Sequence, residues 1–344
     1  MKTMNAEALY QKVPVQKRKK RWLVLCILVV SLAVLLLFSA VSPAPVAYLV
    51  RAAFTVEFAL APDGYEAMEE AVSVARDVRY PSAFRENLAD IYTPKEGGAP
   101  FPVLLWLHGG AFVGGGKQDI EVYATALAAQ GFAVVCINYA RAPEAKYPTP
   151  LVQTGEAYSW LVDVAEDYRL DMSRFALAGD SAGAHIAAQF AAIQSNSVYA
   201  QEMGIAPALA PNALKAMVLF CGPYDVEKIV ENEYMLFRFL MSRTAWAYFG
   251  SKNWAQQSSE QASITNHITG DFPPTFLTDG NTASFEEHSR LLEQVLTAQG
   301  VPVESFYTPE EDGITVHEYQ FLMNTSAGEA SFEAVLSFLQ KYVK

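Results

Sequence analysis

The longest apolar run in the chain stands near its start: Trp22 to Val41, twenty residues without a charge. A helix of that length spans about 30 Å, the thickness of a bilayer core. The run is apolar on every face, which argues against a helix packed on a soluble core. Lys17-Arg18-Lys19-Lys20-Arg21 precedes it. Basic residues beside a span stay cytoplasmic. This order predicts a basic cytoplasmic tail over 1–21, a single-pass transmembrane anchor over 22–41, and the rest of the chain outside the cytoplasm. A secreted protein released by signal cleavage is the competing reading. Signal peptides carry a shorter apolar region of roughly 7–15 residues, and Pro45 follows the cleavage-like Ser42-Pro43-Ala44 awkwardly.

From Leu88 onward the pattern changes to short apolar runs alternating with helical ones. Strands are expected at Pro102–Leu107, Ala133–Asn138, Arg174–Ala178, Ala216–Cys221, Pro274–Thr278 and Val303–Tyr307. Helices are expected at Asp119–Gln130, from Ala182 onward, and after His317. Strands that read as continuous apolar runs, interleaved with helices, predict an α/β fold with a mostly parallel sheet and helices on both faces. One large domain over 80–344 accommodates this series, with 42–79 as a connecting segment that covers part of a site mouth. The longest stretch between strands, Asp225–Asp271, holds Tyr234, Phe237, Phe239, Trp246, Tyr248, Phe249 and Trp254. Most of these read as core-facing aromatics and some as a pocket wall.

Charge divides at the apolar span. Residues 1–21 hold seven Lys/Arg and one acidic residue, leaving 18 basic against 36 acidic side chains beyond them, a net of −18. Such a domain repels nucleic acid, while the basic tail suits anionic lipid headgroups. Cys26 lies in the span, and Cys136 and Cys221 lie in strand-like runs, as small buried residues do. The sequence has no metal-ligand spacing, phosphate loop, dinucleotide fingerprint or internal repeat, so neither a metal nor a cofactor is expected. It says nothing of oligomeric state.

Two short runs carry the chemistry. Gly179-Asp180-Ser181-Ala182-Gly183 fits Gly-x-Ser-x-Gly, between a strand-like and a helical run. That context places Ser181 on a strained strand-to-helix turn at a helix N-terminus, where small neighbours are needed and the dipole favours negative charge. His108-Gly109-Gly110-Ala111-Phe112 follows the apolar run 102–107. Gly109 and Gly110, with no Cβ in the way, bring main-chain N–H groups towards a substrate, and the Ala182 N–H completes an oxyanion hole. Together the runs predict a serine nucleophile.

Its base is found among five histidines. His108 belongs to the loop, His185 faces packing one helical turn beyond Ser181, His267 precedes a strand, and His288 lies inside a helix. His317, after the last strand and before the last helix, fits the order Ser…acid…His. The acid is open between Asp279, at the end of strand 274–278, and Glu286 or Glu287 just downstream. Asp279 leads by position, although Asp279-Gly280 is also a turn pair.

With these residues the chain resembles the hormone-sensitive-lipase and acetyl-esterase branch of the α/β-hydrolases. Asn138-Tyr139-Ala140-Arg141-Ala142-Pro143-Glu144, Phe272-Pro273-Pro274-Thr275-Phe276 and His317-Glu318-Tyr319-Gln320-Phe321 look like further segments of that branch. The resemblance runs from about Tyr80 to the C-terminus. It implies an α/β-hydrolase fold and hydrolysis of a small-molecule carboxylic ester through an acyl-enzyme. In one departure, the family's aspartate falls near Thr282 or Ala283, and neither can serve. A peptidase on the same scaffold and a non-catalytic surface protein are the alternatives; the first lacks a motif for gripping a peptide terminus, and intact loop and elbow motifs count against the second.

Overall fold

A computed structural model describes residues 15–53, 59–229 and 235–344. The start of the basic tail, residues 1–14, and Tyr234 lie outside the described residues. Among the described residues, α1 (Val15–Val41) and α2 (Ala44–Ala53) come first, then α3 (Tyr65–Ala71) and the strands β1 (Val72–Arg79), β2 (Leu88–Pro94) and β3 (Phe101–Leu107). α4 (Glu121–Ala129), β4 (Ala133–Ile137), α5 (Thr149–Asp163), β5 (Leu170–Asp180), α6 (Ala182–Ser195), α7 (Ser197–Met203) and β6 (Leu214–Phe220) follow. α8 (Met235–Phe249), α9 (Trp254–Gln257), α10 (Ser259–Ala262), β7 (Thr275–Asp279), α11 (Glu286–Ala298), β8 (Val303–Tyr307) and α12 (Ser326–Tyr342) complete the series.

The eight strands form one sheet in the order β1-β2-β4-β3-β5-β6-β7-β8. The pairs β1/β2 and β2/β4 are antiparallel and every other pair is parallel. β3 and β4 are buried at every position, as continuous apolar strands covered on both faces must be. Alternate side chains of β3 feed two cores: Val103, Leu105 and Leu107 on one face, Leu104 and Trp106 on the other. The six strands expected from the apolar runs are all present. β1 joins the sheet as its edge strand from Val72, within the stretch 42–79 expected to lead into the domain. α2 also belongs to the folded body: it packs on α8.

This order places the chemistry. β3 pairs directly with β5, Leu107 beside Gly179, so the loop after β3 and the elbow after β5 leave the sheet side by side. Two strands further on, β7 ends at Asp279 on the same C-terminal edge, where open α/β sheets form their ligand crevices. At the other end of the chain, Lys20–Val41 is a helix long and apolar enough by length and composition to cross a membrane.

Candidate active site

Ser181 follows β5 with φ 49° and ψ −117° and begins α6. That conformation is sparsely populated for a side chain and is held only because its surroundings over-determine it. A Cβ at Gly179 would collide with Gly183, and one at Gly183 with the carbonyls of Leu107 and His108. The elbow therefore requires both glycines. It aims Ser181 Oγ at His317 Nε2, 3.0 Å away.

His317 lies on the loop before α12, and that loop is fastened to the segment after β7. Asn281 N–H donates to Thr315 Oγ1 (3.1 Å), Thr315 N–H to Asn281 Oδ1 (3.0 Å), and Thr282 N–H to the Thr315 carbonyl (3.0 Å). Gly280 passes so close to Val316 that a Cβ would strike its carbonyl. The Phe285 ring stands edge-on to the imidazole at 5.5 Å. Burial lowers His317 to about 4, so the ring is neutral, as a general base must be.

Asp279 is fully buried at the end of β7. Its carboxylate, the leading acid by position, makes no hydrogen bond to His317. Oδ1 accepts from the Ser284 hydroxyl and the Phe285 N–H (3.3 Å), and Oδ2 from the Ser289 hydroxyl (2.6 Å). Ser284 Oγ in turn lies 2.8 Å from His317 Nδ1. A strand end keeps Asp279 one side chain short of the ring, and Ser284 fills the gap. Neither alternative acid takes that place: Glu286 pairs with Arg290 at 2.5 Å, and Glu287 is exposed. Burial raises Asp279 to about 6, against the lowering effect of its hydroxyl donors.

The oxyanion loop differs from expectation at one position. Gly109 N–H donates to Asp180 Oδ2 at 2.6 Å and is committed to structure, because the buried Asp180 needs donors. The amides of Gly110, Ala111 and Ala182 have no protein acceptor among the described residues. Gly110 (φ 115°), Ala111 (51°) and Phe112 (64°) turn the loop back on itself, and a Cβ at Gly110 would overlap Gly114. Ala111 was legible only as the neighbour of a glycine pair.

Beneath the loop lies a pair of acids, Asp180 and Glu318, that no sequence motif marks as a pair. Asp180 also accepts from Trp106 Nε1 (2.7 Å) and shares a hydrogen bond with Glu318. Glu318 sits in the left-handed region, φ 59°, with Oε1 3.8 Å from His317 Nε2. Asp180 has two N–H donors to hold its charge, although burial still pushes it up to about 6. Glu318 is pushed well above the usual glutamate range by burial and then by the charge of Asp180, so it holds the shared proton.

The remaining histidines are occupied elsewhere. His108 stacks on Tyr139 at 4.4 Å, His185 Nδ1 donates to the Pro223 carbonyl (3.0 Å), His267 stacks on Tyr199, and His288 accepts from the Asp225 N–H. Donor atoms of Cys221, Asp279 and His317 lie within 4.8 Å of one another, but this group is the site just described. Over Ser181 and His317 the described residues enclose a cavity of about 160 Å³, walled by Phe112, Ile229, Phe237, Met241, Ala245 and Phe285. Of the aromatics in Asp225–Asp271, Phe237 thus faces the cavity and Tyr248 braces Phe112 by stacking at 4.1 Å. Trp254 is buried in a separate small cluster.

A strained serine at a helix head, a neutral histidine on its hydroxyl and free amides on both sides define a serine hydrolase of the α/β-hydrolase fold. Comparison with known proteins places it more closely. The chain belongs to the BD-FAE family, which it matches over residues 89–296. It is 26% identical to an acetyl esterase of Salmonella schwarzengrund (strain CVM19633) over 236 residues, covering 67% of this chain and 69% of that protein. It is 31% identical to the esterase LipQ of Mycobacterium tuberculosis over 214 residues, 59% of this chain and 48% of that one. The crystal structure of esterase B from Lactobacillus Rhamnosis superposes with a TM-score of 0.72 at 22% identity, over 90% of this chain and 96% of the other. The protein is an α/β-hydrolase of the acetyl-esterase branch, a carboxylesterase-type serine hydrolase.

Proposed function

We propose that the protein is a membrane-anchored carboxylesterase in which Ser181 is the nucleophile and His317 its base. The Ser181 Oγ–His317 Nε2 contact at 3.0 Å carries this reading. The Ser181 oxygen attacks the ester carbonyl and its proton passes to Nε2. The tetrahedral oxygen takes the amides of Gly110, Ala111 and Ala182, each such donor being worth about 3–4 kcal/mol of transition-state stabilisation. Nε2 then returns the proton to the leaving alcohol, and water releases the acid from the acyl-enzyme by the same route. The carboxylate of Asp279 stabilises the imidazolium.

The cavity favours a short aliphatic acyl group. Its lining is almost wholly apolar, and at about 160 Å³ it is smaller than the roughly 300–1,000 Å³ of typical ligand pockets. Ser181→Ala tests the assignment: turnover of a p-nitrophenyl ester is expected to vanish, labelling by a fluorophosphonate to be lost with it, and the melting temperature to stay within a few degrees. Near-full turnover in that variant overturns it.

A further inference from the structure

We propose that Ser284 is the positioning residue that joins Asp279 to His317, so that the acid acts on the imidazole through a serine hydroxyl rather than by direct contact. The proposal rests on the nucleophile–base reading above and concerns the far side of the same ring.

Every hydrogen bond in the row has only one consistent direction. Asp279 is buried with two oxygens that accept from Ser284, Phe285 and Ser289; as a carboxylate it donates nothing. Ser284 therefore donates its single proton to Asp279 Oδ1. Its oxygen remains an acceptor towards His317 Nδ1 at 2.8 Å, so Nδ1 carries the ring proton. Nε2 is then the bare nitrogen, 3.0 Å from Ser181 Oγ, and receives the nucleophile's proton. One hydroxyl thus selects the tautomer the reaction needs. The polarised Ser284 O–H also passes part of the carboxylate's field to the imidazolium as it forms, in a site where the local dielectric is low.

The backbone is built to put Ser284 there. Ala283 has φ 49°, a sharp left-handed turn that swings the next residue inward. Just upstream, Thr282 bridges to Val316 in parallel, which fixes the segment against the histidine loop at the residue before His317. Ser284 follows immediately on Thr282 and Ala283, where the family resemblance puts the acid. Two serines bond the two oxygens of Asp279, but Ser284 alone of the two also meets the imidazole. Ser289 thereby supplies an internal control: it supports the same carboxylate without touching the ring.

The test is a set of full-chain variants assayed on one p-nitrophenyl ester across pH, with fluorophosphonate labelling and melting temperature measured in parallel. Ser284→Ala is expected to lower kcat about 100-fold with KM within threefold, since it breaks the link to the acid but leaves the nucleophile, base and oxyanion hole in place. Ser289→Ala is expected to lower kcat less than fivefold. Ser284→Asp puts a carboxylate beside Nδ1; it is expected to recover kcat to within tenfold of the parent and to move the acid limb of the kcat profile to higher pH, because a neighbouring charge favours the imidazolium. In that background Asp279→Asn is expected to cost less than fivefold, against a large loss in the parent. Ser284→Ala with kcat within threefold of the parent overturns the proposal, as does Ser284→Asp remaining as inactive as Ser284→Ala while melting normally. If Ser181→Ala loses turnover in the same assay while Ser284→Ala keeps it, the relay fails and the nucleophile stands; if Ser181→Ala keeps turnover, the underlying reading fails.

Discussion

Glu318 shows how much a single side chain can set against stability for the sake of a site. It stands in the left-handed region beside His317 and shares a proton with Asp180 under the oxyanion loop. Its folded carboxyl keeps that proton above the usual glutamate range, whereas the unfolded chain releases it near the ordinary value. Above that value the folded state binds more protons than the unfolded one, so stability falls as pH rises. Asp180 and Asp279, both raised to about 6, add a fall of the same sign between about pH 4 and 6. Glu318→Gln keeps the size, donates an N–H to Asp180 and removes the titration. The variant is expected to melt higher than the parent at pH 8, with a smaller difference at pH 5, as read by thermal melts across that range. Parallel melting curves at both pH values would refute it.

At the scale of elements, the loop after β3 and helix α2, which follows the apolar helix α1, work as one unit. Three successive residues, 110–112, have positive φ, and such a loop keeps its shape only if it is held from outside. Arg51 of α2 holds it: Nε donates to the Val113 carbonyl at 2.5 Å and Nη2 to the Ala142 carbonyl at 2.6 Å, with Glu144 completing the fork. Arg51→Ala is expected to lower kcat about tenfold, a loss of placement at a site where ångström shifts matter, with little change in melting temperature. The matching check is fluorophosphonate labelling of Ser181, which slows by a similar factor; unchanged kcat would separate α2 from the site. Nothing in the sequence linked Arg51 to Val113, since the contact joins residues 62 apart. β1 is hard to read from the sequence for a related reason: its half-buried, interrupted alternation is a weak strand signal beside the solid apolar runs of β3 and β4.

At the scale of the whole molecule, the proposed anchor decides where the site faces. α1 leads into α2, and Lys252 Nζ donates to the Ala40 carbonyl near the end of the apolar helix, so that helix and the catalytic body are joined without a long tether. With the basic cluster on the cytoplasmic side, the catalytic body is expected outside the cytoplasm. Protease added to intact cells should degrade the esterase domain and spare cytoplasmic markers. Protection until lysis would reverse the topology, and full recovery in the soluble fraction would dismiss the anchor.

Local chemistry was legible in the chain itself. The strained elbow around Ser181, the glycine loop after β3 and the parallel α/β order follow from residues within a few positions of one another: no larger neighbour fits at Gly179 or Gly183, and continuous apolar runs need cover on both faces. Folding alone decided the rest, because each remaining feature depends on distances between segments far apart in sequence. Asp279 was visible as the leading one of three candidate acids but not as one hydroxyl short of the ring; Ser284 looks like any loop serine until the segments around Asn281 and Thr315 meet. Gly109 reads as an oxyanion donor until Asp180, 71 residues on, takes its N–H. Glu318 carries no separate signal in the sequence until the fold sets it against that same aspartate.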